Sequence, residues 1–237
     1  MALATAEIDG WIETGRKEYV CVSGVHGVME CQRDPALKAI HNRAGMVLPD
    51  GMPLAWWARR VGGPVADRVC GPEFFPHILE ALAHRAHFFY GATDATLDRL
   101  CRRVLLRSPG AQIVGAFSPP FRPLTPPEDA DVIRRINDSG ADIVWVGLST
   151  PKQERWMAEH RQALNAAALI GVGAAFDMEA GNVRRAPKFL RRTGLEWTYR
   201  LVLEPRRLWR RYLINNPGFL VMAVAQATHL INFPRER

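Results

Sequence analysis

Five short runs rich in Val, Ile and Phe, alternating with stretches of helical spacing, constrain this chain more than any other feature of it. The runs are Tyr19–Ser23, His87–Tyr90, Gln112–Val114, Asp142–Val146 and Ala168–Val172. The helix-like stretches lie near Pro35–Arg43, Met52–Val61, Phe74–Arg85, Ala95–Leu106, Pro127–Asn137 and Lys152–Leu164. Such alternation predicts an α/β fold, Rossmann-like, with a mainly parallel sheet flanked by helices. After about Arg192 the strand signals stop. Leu195–Asn215 reads as a helix pair around Pro205, and Pro217–Ile231 as a further apolar helix. The expected organisation is therefore a body over residues 1–192 and a helical appendage over 193–237.

Composition narrows the class. At 48% hydrophobic and 23% charged, 237 residues form a folded chain with a sizeable core rather than a disordered one. Cys21, Cys31, Cys70 and Cys101 form no C-x-x-C pair, so reduced thiols are expected. The opening Ala2–Gly10 is too short and polar for a secretory leader. Phe219–Ala225 falls well short of the roughly 20 apolar residues a spanning helix needs. The net charge of +7 is concentrated: Gly181–Arg211 holds ten basic residues against two acids, so it carries +8 and the remainder −1. An anionic partner near the C-terminal end follows.

In open α/β sheets, ligands bind beyond the carboxyl ends of the strands. Four turns there carry suggestive residues. Asp50 and Gly51 precede a helix, where Asp50 reads first as an N-cap and second as a general base. Phe89–Asp94 runs through Gly91 into a Thr93-capped helix whose N–H groups suit a phosphate. Trp145–Glu154 passes Gly147 and reaches Thr150-Pro-Lys-Gln153, which reads as a capping box with Pro151 at the first helical position. Lys152 and Gln153 would then project from a strand mouth toward a pyrophosphate or sugar. Gly171–Asp177 leads to Arg184 and Arg185, with Asp177 suited to a base or ribose and the arginines to phosphate. Asp129-Ala-Asp131 is a D-x-D at a helix start behind Thr125-Pro-Pro-Glu128, so dipole compensation explains it better than a divalent metal. No metal site and no cofactor are expected.

These segments in this order resemble the WecG/TagA/CpsF family of bacterial glycosyltransferases (glycosyltransferase family 26). The matching stretches include His41-Asn42, Leu48-Pro-Asp-Gly51, Arg68-Val-Cys-Gly71, Pro151-Lys-Gln-Glu-Arg-Trp156, Arg185-Ala-Pro187, Gly194-Leu-Glu-Trp197 and Arg200…Glu204-Pro-Arg206. The resemblance implies an inverting, metal-independent transfer from a UDP-sugar to a polyprenyl-pyrophosphate-linked sugar. The setting implied is the cytoplasmic membrane face, in polysaccharide or cell-wall glycan assembly. It makes Asp50 the candidate base and sets Gln153, Ser23 and Asn42 against the substrates. Asp177 falls at the nucleotide, and Phe121 takes the place of an aromatic that stacks on uracil. Family members often carry Thr and Asn after the first strand; here the stretch is Val22-Ser-Gly-Val-His26, with Ser23 for Thr and no Asn. The chain also opens without an initial strand ahead of Ile8-Asp-Gly-Trp11.

Arg206, Arg207, Arg210 and Arg211 alternate with Leu203, Leu208, Trp209 and Tyr212, the mixture interfacial helices use on anionic lipid. A peripheral membrane position follows from that reading. Two rival classes stand beside it. A non-catalytic sugar-nucleotide binder fits the altered Ser23–His26 region. A nucleic-acid-binding protein fits the sequence pI of about 9.7, but its basic residues would interleave with stacking aromatics on a sheet or groove. No nucleic acid is therefore expected, and a homo-oligomer stays open.

Overall fold

The computed structural model describes residues 1–61 and 69–233; Arg68 of the quoted motif lies outside them. The first half of the chain forms α1 (Ala2–Thr14), β1 (Glu18–Ser23), α2 (Val25–Arg33), α3 (Pro35–Asn42), β2 (Met46–Pro49), α4 (Met52–Arg60), α5 (Gly71–Ala81), β3 (Ala86–Gly91) and α6 (Asp94–Arg107). There follow β4 (Gln112–Phe117), α7 (Pro126–Asp138), β5 (Ile143–Gly147), α8 (Lys152–His160), β6 (Ala168–Gly171), α9 (Ala175–Glu179), α10 (Lys188–Arg192), α11 (Glu196–Leu203) and α12 (Pro205–Ala227). The strands build one six-stranded sheet in the order β2-β1-β6-β5-β3-β4. The ladders β1/β6, β6/β5, β5/β3 and β3/β4 are parallel, as the strand–helix alternation predicts.

Two compact units divide the chain. The first comprises Met1–Val22, Ala44–Val47 and Cys70–Arg184; the second comprises Ser23–Arg43, Leu48–Val69 and Arg185–Arg237. The second unit thus draws on two early stretches besides the C-terminal helices.

In the first unit the central strands are apolar from end to end because both faces are covered. Ile143, Val144, Trp145 and Val146 of β5 and Ala168, Leu169 and Ile170 of β6 are all fully buried. Phe75, Phe89, Trp145 and Phe176 meet edge to face beside them. Edge strand β4 alternates between exposed and half-buried positions. Ahead of β1, α1 begins without a side-chain cap or a first-turn acid, yet buries Ile8 and Trp11. Burying Ile8 alone is worth about 1.5–3 kcal/mol, more than the ~1 kcal/mol a cap supplies, so packing holds this helix.

In the second unit α12 packs on α2 and α11, and α2 packs on α3. The sequence predicts a break before Pro217. Instead one 23-residue helix runs through Pro217 to Ala227. A proline removes only its own N–H bond and crowds one preceding carbonyl. Pro217 is exposed, while Leu208, Asn215 and Ala223 anchor the opposite face.

Candidate active site

The strand ends of the first unit are bare backbone held at close range. Gly91 has φ +120°, and a Cβ there would stand 2.6 Å from the Gly147 carbonyl oxygen. A Cβ on Gly171 would stand 2.8 Å from Met157 Cε and 3.0 Å from Gln153 Nε2. Packing therefore requires glycine at the end of β3, where the neighbour is backbone, while at the end of β6 a Cβ would displace the tips of Met157 and Gln153. Beyond β3, Thr93 caps α6 as predicted, its hydroxyl accepting from the Thr96 N–H at 3.3 Å.

At α8 the expected capping box is absent. Pro151 holds the cap position without a side-chain bond, and the helix starts at Lys152. The Thr150 hydroxyl is drawn away from the helix N–H groups by a carboxylate: it donates to Glu154 Oε1 at 2.8 Å. Gln153 Nε2 donates to the same oxygen at 3.1 Å. Gln153 is 2% exposed and Glu154 fully buried, so Gln153 lies under the strand ends rather than projecting from them. Gln153 Oε1 and Glu154 Oε2 are buried without a hydrogen-bond partner. Lys152 alone of this group is exposed.

Asp177 sits in α9 and accepts from Asn182 Nδ2 at 3.1 Å; Arg99 donates to Asn182 Oδ1 at 2.9 Å. Arg184, the last residue of this unit, is exposed, and Phe121 is 94% exposed in the loop after β4. The D-x-D acids serve structure: Asp129 binds His160 Nε2 at 2.9 Å, and Asp131 pairs with Arg134 behind the Thr125–Glu128 capping box.

The second unit places Asp50 differently from its expected role as a cap. Gly51, at φ +91°, occupies the cap position of α4, and no side chain caps the helix. The Asp50 N–H donates to the Ser23 carbonyl oxygen at 2.8 Å, which ties the end of β2 to the end of β1. Ser23 is buried, with its hydroxyl 2.8 Å from His41 Nε2. His41 Nδ1 lies 3.1 Å from the Leu37 carbonyl, which can only accept, so in the neutral ring Nε2 accepts from Ser23. Cys31 Sγ lies 3.3 Å from that same Nδ1. Asn42 ends α3 in an exposed position, and Arg185 is half-buried.

The arginines expected to face lipid are not equivalent. Arg206, Arg207 and Arg210 are exposed. Arg211 is drawn inward: burial first, with repulsion from Arg200 and Arg207, holds its guanidinium below its usual pKa, while Tyr212 and Asp50 pull the other way. The Nε atoms of Arg200 and Arg211 are buried without a hydrogen-bond partner. Sequence reading missed the group beside them. Arg33 donates to Asn215 Oδ1 at 2.8 Å, which turns Asn215 Nδ2 to His26 Nδ1 at 2.9 Å. The signal was a polar residue at a core-facing position of α12, seven residues after Leu208.

Comparison with known proteins places the chain in a family. The glycosyl transferase WecG/TagA/CpsF family model matches residues 1–232. The chain belongs to this family. Three relatives are similar to it, each named N-acetylglucosaminyldiphosphoundecaprenol N-acetyl-beta-D-mannosaminyltransferase. One from Bacillus spizizenii is 30% identical over 205 residues, covering 86% of this chain and 77% of the relative. One from Bacillus subtilis is 30% identical over 172 residues, covering 72% and 65%. One from Staphylococcus aureus is 30% identical over 172 residues, covering 71% and 65%. The chain thus spans just under two thirds of the latter two. As a WecG/TagA/CpsF glycosyltransferase, it carries Gln153 and Asp177 on its first unit and Asp50 on its second. Among its described residues no helix is long and apolar enough to cross a membrane.

Proposed function

We propose that this glycosyltransferase moves an N-acetylhexosamine from a UDP-sugar to a polyprenyl-diphosphate-linked sugar, with inversion and without a metal. The names of its relatives support the sugar and the lipid-linked acceptor. The observation that carries the reading is the place of Asp50, at the end of β2 ahead of Gly51 and tied through its N–H to the Ser23 carbonyl at the end of β1. In the proposed step the acceptor hydroxyl attacks the anomeric carbon as its proton passes to Asp50. The bond from that carbon to the UDP oxygen breaks, and the departing diphosphate carries away the electron pair. Guanidinium groups offset negative charge best where water is displaced, which favours Arg200 and Arg211 over the solvated arginines of α12 as diphosphate partners. Arg185 is a further cation of the same unit, and no cofactor enters the scheme.

We also propose that the exposed arginines of α12, with Trp209, Leu213 and Ile214, dock the chain on anionic lipid where its acceptor resides. Asp50→Asn tests the chemistry. The variant is expected to bind UDP as the wild type does while transfer from UDP-N-acetylmannosamine falls at least 100-fold, the range for losing a general base. Transfer close to wild type would remove Asp50 from this role.

A further inference from the structure

Gln153 is a buried amide with one end satisfied and the other not. Its Nε2 donates to Glu154 Oε1, and its Oε1 has no partner. An amide left to itself offers either end to a neighbour. Here the choice is made by Glu154, because a carboxylate oxygen already receiving the Thr150 hydroxyl accepts from nitrogen and repels the amide carbonyl. The carbonyl is thereby turned to Gly173, where Oε1 lies 3.4 Å from the position a Cβ would take. The backbone approaches without side chains at that point, since both Gly171 and Gly173 lie against this amide. A buried acceptor with no donor is costly unless a ligand supplies one.

We propose that Glu154 is a positioning residue that fixes the Gln153 carboxamide with its carbonyl facing the glycine end of β6, where it accepts a hydrogen bond from a hydroxyl or amide N–H of the transferred sugar. The inference rests on the reading of a UDP-sugar donor and adds the residue that orients its recognition. Glu154 touches no substrate; it acts through Gln153. Nucleotide affinity, which does not involve the sugar, is independent of it.

The test is a double-mutant cycle on the full chain with UDP-N-acetylmannosamine and a polyprenyl-diphosphate-linked N-acetylglucosamine. Glu154→Leu is expected to lower donor kcat/KM on the order of tenfold, as for a lost buried hydrogen bond, while the Kd for UDP alone stays within about twofold. Glu154→Gln keeps a carbonyl for both donors and restores most of the loss. In a Gln153→Ala background, Glu154→Leu is expected to cost nothing further. Thr150→Val, which releases only the second donor, serves as the milder arm should the leucine variant not fold, and its smaller loss must also vanish in Gln153→Ala. Additive losses in either cycle, or a UDP Kd that weakens in step with kcat/KM, overturn the proposal. A wild-type chain that neither binds nor turns over the donor overturns the functional reading as well, a result distinct from an active enzyme with additive losses.

Discussion

His87 is a base with no room for a second proton. It is fully buried, 3.0 Å from the Leu82 carbonyl through Nε2, and its Nδ1 accepts the Trp145 indole N–H at 3.1 Å. Burial above all pushes its pKa down from 6.5 to about 4. His26 is likewise lowered to about 4, by burial first and then by Arg211 and Arg33. In both cases the unfolded chain takes up the proton more readily, so stability is full above pH 6.5 and is lost as the pH falls toward 4. At about 1.4 kcal/mol per pH unit, each histidine contributes on the order of 3 kcal/mol of this loss. Urea midpoints between pH 7 and 4 are expected to fall accordingly, and His26→Asn to remove about half of the slope. An unchanged slope in that variant would mean His26 is protonated in the fold. Asp50 and Gln153 were singled out at this scale because they stand in recognisable strings. Their environments were not legible: Asp50 looked like a cap until Gly51 took that position, and nothing in Pro-Lys-Gln-Glu announces that Glu154 is buried.

Elements were legible wherever apolar runs met turn residues. The five central and edge strands fall within a few residues of their expected limits, because Val, Ile and Phe pack on a covered sheet and on little else. Shorter or polar elements were not. β2 is four residues long and half-buried, and α2 begins Val-His-Gly-Val, a pattern with no strong helical signal. Asn215-Asn-Pro217 looked like a helix end, yet α12 continues because its inner face is held by packing and by Asn215 itself. Asn215 is 3% exposed and spans from Arg33 to His26, both of α2. Replacing it with alanine takes one acceptor from the exposed Arg33, which keeps Glu30, and the donor from the half-buried His26 imidazole. The expected cost is about 1–3 kcal/mol, read from chemical denaturation, with His26 rising in pKa by NMR titration as its neutral form loses a donor. A loss within experimental error would show that α2 and α12 are held by apolar contact alone.

Across the whole molecule, charge and apolar surface coincide. All of the basic cluster except Arg184 belongs to the second unit, where Val202, Leu213, Ile214, Leu220, Val221 and Val224 are also exposed. Arg210 rests over the Trp209 ring at 5.2 Å, so cation and aromatic reach one surface together. Changing Arg206, Arg207 and Arg210 to glutamate is expected to abolish co-sedimentation with anionic vesicles, at roughly 1 kcal/mol per charge, and to leave UDP binding intact. Equal sedimentation of wild type and variant would rule out that docking surface. The second unit has a further consequence, in time rather than in space. Arg33 and Asn215 are 182 positions apart, so α2 leaves the ribosome long before the helix that completes it exists. At about 5–20 residues per second, the interval is on the order of ten seconds or more. Throughout it the nascent α2 and α3 are available to chaperones, and the apolar face meant for α12 is the one they would meet.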